Sequence, residues 1–122
     1  MKLYSLKIKD TVFKIAVVDD EKRMKKGLSG SPKLGKNKGL LFDFISPQLV
    51  VMNMQKMAYP IDMIFIGEDR KVIDVRTMRP GDIQTSCDDC RYVLEVNKGE
   101  GKSLEKEIVK FSLIYIFYIF YS

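Results

Sequence analysis

Alternation of apolar and polar positions is the strongest signal in this chain, and it is clearest from Tyr59 to Val75, YPIDMIFIGEDRKVIDV. Ile61, Met63 and Phe65 fall on one side of an extended strand, with Asp62, Ile64 and Ile66 on the other. Gly67–Arg70 is a polar turn, and Lys71–Val75 returns in a second arm. The first arm is apolar on both sides, so it predicts a strand inside a sheet with cover on both faces. A period of two also marks Leu3–Lys9 and Val12–Val18, joined at Asp10-Thr11, and then Leu40–Ile45, Leu49–Met54 and Arg91–Val96. Hairpins are therefore expected at 3–18, 40–54 and 61–75.

The period breaks at Asp19-Asp20-Glu21, where an Asp can cap a helix and Lys25-Lys26 precede Gly27. One short surface helix is expected near residues 20–27. Gly27–Gly39 reads as a loop, as does Thr77–Asp89 with its Pro80-Gly81-Asp82 turn. Ser103–Lys110 fits either a helical turn or the start of a last strand. The fold class that follows is all-β and mainly antiparallel: a compact β-sandwich or partly open barrel over residues 1–110. An apolar tail follows at 111–122.

That tail, FSLIYIFYIFYS, is dense in aromatic and β-branched residues, which suits a strand and invites aggregation if left bare. Phe111, Ile114, Phe117 and Phe120 are the candidates for an interface with a protein partner or a second copy across 111–121. Its apolar run is far shorter than the roughly 17–25 residues of a membrane-spanning helix. The N-terminus shows no export signal, so the expected location is the cytoplasm or the inside of a virus particle.

Composition narrows the chemistry. With 122 residues, 46% hydrophobic and 30% charged, the chain is long enough for one globular domain with its own core. It has no histidine, which removes the commonest general base and metal ligand together. The net charge of +5 is concentrated at Lys22, Arg23, Lys25, Lys26, Lys33, Lys36 and Lys38, a stretch without acids. These are the anion-contact candidates, and nucleic acid is one partner they would suit. A solvated loop is the plainer reading, because no aromatic residues are interleaved to stack on bases.

Cys87 and Cys90 form a CxxC. Ordinary thiols come first among its readings, then a labile disulfide, then one edge of a metal site lacking two further ligands. The acidic pair between the sulfurs would raise the thiol pKa. Val17-Val18-Asp19-Asp20-Glu21 has the look of a receiver domain's acidic start, but the expected phospho-acceptor position falls on Gly67 and helices are wanting. No motif for a nucleophile elbow, P-loop or dinucleotide fold is present, so no catalytic residue and no cofactor is assigned. Met54, Pro60, Asp62 and Asp74 are the pocket candidates, with Asp62 expected by default to bond backbone amides in a nearby turn.

Three blocks in order carry a family resemblance: Gly27-Leu28-x-Gly30-x-x-x-Leu34 with Gly39-Leu40-Leu41-Phe42-x-Phe44, then Met54 with Pro60–Ile66, then Tyr92-Val93-Leu94-Glu95-Val96 and Gly99. Over residues 12–100 the chain resembles domain-of-unknown-function family 192. It departs from that pattern at Lys26, Ser29, Asn53 and Lys56-Met57. The resemblance implies a compact β fold of the sandwich or barrel kind with one short helix, and no established activity.

The function expected from these features is that of a non-catalytic binding or structural module, a subunit of a larger assembly such as a virion. The alternative is a small-ligand or metal-binding protein with its site near Asp62, Asp74, Cys87 and Cys90. Nucleic-acid contact through 22–38 is the third.

Overall fold

The computed structural model describes residues 3–86 and 89–112. The strands are β1 (Leu3–Ile8), β2 (Thr11–Val18), β3 (Lys38–Gln48), β4 (Val51–Asn53), β5 (Ile61–Gly67), β6 (Val72–Met78), β7 (Ile83–Thr85), β8 (Cys90–Asn97) and β9 (Val109–Ser112), with α1 (Glu21–Lys26) after β2. Seven of them form one curled sheet in the order β6-β5-β8-β3-β2-β1-β9, and β4 pairs with β7 in a small second sheet. The fold is all-β, as the alternation predicts. Among the described residues, every pairing is antiparallel except β2 with β3, where Val17 stands beside Leu41.

Curling brings the two edges of the sheet together. Val72 N donates to Glu107 O at 2.8 Å, Val109 N to Arg70 O at 2.8 Å and Lys106 N to Val72 O at 3.2 Å. These bonds partly close a barrel. Residues of one parity fill its inside: Phe13 and Ile15 of β2, Leu41 of β3, Ile64 and Ile66 of β5, Leu94 and Val96 of β8. Residues of the other parity, among them Leu40, Phe42, Met63, Phe65 and Val93, form a second core on the outside. The small sheet contributes Met52 to that outer core, and Met24 of α1 and Leu34 of the loop pack against it. Every residue of β5 is buried because each face of this strand meets one of the two cores.

The expected hairpins at 3–18 and 61–75 form, with Leu6 opposite Phe13 and Ile64 opposite Val75. The expected 40–54 hairpin does not. β3 lies between β2 and β8, while β4 belongs to the other sheet. Ser46-Pro47 does not reverse the chain into a hairpin; β3 runs on to Gln48 and the small sheet folds back over the large one. The 77–89 segment is not all loop either, since β6 continues to Met78 and β7 occupies Ile83–Thr85.

Helix α1 forms for the expected reason. Asp20 caps it, accepting from Arg23 N at 2.9 Å, and Arg23 also pairs with Asp20 through its side chain. The Arg23 amide, then its guanidinium, hold the Asp20 carboxyl below its ordinary pKa. Gly27 ends the helix at φ 50, ψ −131, a conformation that favours glycine.

Candidate ligand cleft

Two carboxylates are buried in the sheet, and their surroundings differ. Asp62 is fully partnered. Its Oδ1 accepts from Thr77 Oγ1 at 2.8 Å, and its Oδ2 accepts from Gly99 N at 2.8 Å and Gly101 N at 2.9 Å. It bonds backbone amides, as expected, but those of the loop after β8 instead of an adjoining turn. Asp62 is therefore a clamp that fastens this loop onto the barrel.

Glu95 is the other. It lies on the outer face of β8, between Leu40 of β3 and Met63 of β5 in the pairing register. The residue is 5% exposed, and its Oε1 has no hydrogen-bond partner among the described residues. Burial pushes its carboxyl up to about 8. An acid planted in an apolar face without a donor is costly to keep ionised. Burial, and then the charge of Glu95, also push the Tyr59 phenol up.

Glu95 faces a cleft of about 570 Å³ between α1, the small sheet and the outer face of the large one. Phe42 and Phe44 of β3, Met24 of α1 and Met57 after β4 supply apolar walls. Lys25, Lys26 and Lys56 are exposed around the mouth, with Glu21 the other acid in the lining. Lys25 pairs with that Glu21 at 3.3 Å. Gly27 leaves room above the carboxylate: a Cβ there would stand 3.6 Å from Glu95 Oε1 and 3.4 Å from Phe42 Cζ.

The residues singled out in the sequence scatter around this cleft. Met54 is fully buried in the outer core, and Pro60 is half-buried just before β5. Asp74 and Asp62 fall on opposite faces of the β5–β6 pair, since Asp74 stands opposite Phe65 and Asp62 opposite Thr77. Asp74 binds Arg76 at 2.8 Å instead. Cys90 is buried, its Sγ 3.2 Å from Tyr92 O, whereas Cys87 lies outside the described residues. Of the basic set, Lys25 and Lys26 line the cleft, Arg23 pairs with Asp19 and Asp20, Lys33 sits 6.0 Å from the Tyr59 ring centre, and Lys38 packs on Gly35. Lys22 is exposed on α1 and Lys36 in the loop after it.

Phe111 packs on its own sheet, 5.5 Å from the Tyr92 ring and 5.2 Å from Arg70 Cζ. Ile114, Phe117 and Phe120 lie outside the described residues. Among the described residues, no helix is long and apolar enough to cross a membrane.

Glu95 is the functional candidate that residue patterning passes over. The available signal is thin: in RYVLEV it shares a side with Arg91 and Val93, a mixed face that parity alone does not assign to a core.

A curled β-sheet carrying one short helix across its outer face defines the class of this protein, and comparison narrows it. The model of DUF192, described as an uncharacterized ACR, matches residues 4–108, and the chain belongs to that family. The chain is similar to a crystal structure of a candidate transcription regulator from Sinorhizobium meliloti 1021, with 23% identity, a TM-score of 0.83, and coverage of 89% of this chain and 93% of that one. It is also similar to a protein of unknown function from Novosphingobium aromaticivorans DSM 12444, with 23% identity, a TM-score of 0.81, and coverage of 88% and 84%. At this identity the likeness shows the fold. No curated protein matches the chain.

Proposed function

We propose that this protein is a non-catalytic binding module that holds a small organic ligand in the cleft over Glu95. One observation carries the reading: Glu95, 5% exposed and with a carboxyl oxygen that has no partner among the described residues, lines a cleft of about 570 Å³. Buried polar atoms are nearly always satisfied, so an orphan on a residue that lines a cleft marks a place for a donor from outside. The volume falls in the range of roughly 300–1,000 Å³ that suits small-molecule sites, and the lining sets the apolar Met24, Phe42, Phe44 and Met57 beside charged and amide side chains.

Nuclear magnetic resonance of ¹⁵N-labelled protein with a fragment library tests this. Fragments that shift the amides of Gly27, Phe42, Phe44 and Glu95 together are the expected result. A library whose hits leave those four amides unmoved overturns the proposal.

A further inference from the structure

The cleft has two chemically different ends. Its floor is an acid, Glu95, set among apolar neighbours, and its mouth is basic. Lys26 on the helix side and Lys56 on the small-sheet side are exposed there and take part in no ion pair among the described residues. Lys25 pairs with Glu21, 3.3 Å away. The rings of Phe42 and Phe44 and the thioethers of Met24 and Met57 line the same cleft.

We infer that the ligand is a small amphiphilic zwitterion: an ammonium group seated on Glu95, an apolar body along the aromatic and thioether walls, and an anionic group at the mouth between Lys26 and Lys56. This rests on the small-ligand reading above and adds the ligand class to it. A cationic donor answers the orphan Oε1 best, because a charge-assisted bond is about twice as strong as a neutral one. A simple cation would meet uncompensated lysines at the mouth, while a simple anion would leave Glu95 unsatisfied. Only a molecule with both charges fits both ends.

Seating the ammonium changes the protonation of Glu95. The empty site holds the neutral acid near pH 7, since burial raises the carboxyl to about 8. On binding, the acid O–H gives its proton to solvent and the carboxylate accepts from the ammonium N–H, so one proton is released per ligand. The charged and titratable groups facing Glu95 are Glu21, Lys25 and Lys26 from α1, Lys56 from the β4–β5 segment and Tyr59 just before β5. Leu40 and Met63 beside it on the sheet are apolar.

Isothermal calorimetry at pH 7, in two buffers of different ionisation enthalpy, tests the inference with ω-aminoalkanoates of four to eight carbons and the matching alkylamines and alkanoates. At least one aminoalkanoate is expected to bind about tenfold or more tightly than its matched amine or acid, with close to one proton released. Glu95→Gln should abolish proton release and weaken that ligand about tenfold. Lys26→Ala with Lys56→Ala should erase its advantage over the amine while proton release persists. An alkanoate that binds as tightly as the aminoalkanoate, binding without proton release, or an unchanged Glu95→Gln variant overturns the zwitterion class. If fragments still shift the four cleft amides in that event, the small-ligand reading stands. If none do, both fall.

Discussion

Gly27 stands directly over Glu95: a methyl group at position 27 would lie 3.6 Å from the orphan carboxyl oxygen. The helix ends at Gly27 with φ 50 and ψ −131, so the same residue stops α1 and keeps the cleft open. Gly27→Ala should destabilise the protein by about 1–3 kcal/mol through backbone strain alone. It should also weaken any cleft ligand. Urea unfolding reads the first effect and calorimetry the second; an Ala variant as stable as the parent would show that the turn relaxes.

Glu95 makes stability depend on pH in an unusual direction for a carboxylic acid. Its folded value of about 8 lies above the ordinary 4.5, so its favourable contribution is complete below about pH 4.5 and is lost as pH rises through 8. The full span is on the order of 5 kcal/mol. Thermal unfolding from pH 5 to 9 should show a melting temperature that falls in this window, with Glu95→Gln flattening the curve. A parallel decline in both proteins would assign the effect to other groups.

Asp62 fastens the loop after β8 with three accepted bonds. Asp62→Ala leaves the buried Gly101 amide, the exposed Gly99 amide and the Thr77 hydroxyl without their acceptor and should cost about 3 kcal/mol, against about 1 kcal/mol for Thr77→Val. Hydrogen exchange should quicken at Gly99 and Gly101 in the first variant and stay slow in the second. Equal exchange in both would mean that the loop is held by other contacts.

Gly39 passes so close to β8 that a Cβ would meet Leu94 Cδ1 at 2.8 Å and Glu95 O at 3.0 Å. The backbone oxygen cannot swing aside as a side chain can. Gly39→Ala should therefore cost about 1–3 kcal/mol by overpacking, measured by denaturant titration. A neutral substitution would show that β3 and β8 separate without loss.

The strands were legible because burial alternates. Ile61, Met63 and Phe65 do face one core, and Ile64 and Ile66 the other. Partners across the sheet were less so. Leu40 meets Glu95 on one side, and on the other it lies in register with Ala16, in a parallel pairing that no local turn encodes. The β4–β7 pair was missed for the same reason: Met52 opposes Gln84, with β5 and β6 between them in the chain. Asp62 was visible because an acid in an apolar strand stands out. Glu95 was visible too, but its meaning depends on Met24, Phe42 and Met57 converging over it. Short-range patterns encode which way a side chain points; what it meets there is settled by contacts distant in sequence.

The parallel β2–β3 pair governs how such a site could vary. Two strands running the same way cannot be joined by a tight reversal, so the chain must travel the length of the sheet between Val18 and Lys38. That traverse carries α1, Gly27 and two of the mouth lysines over the sheet's outer surface. Topology thus obliges the molecule to have a roof, whatever residues compose it. Changing the lysines of that roof would retune what is held beneath without disturbing the strands that hold it up.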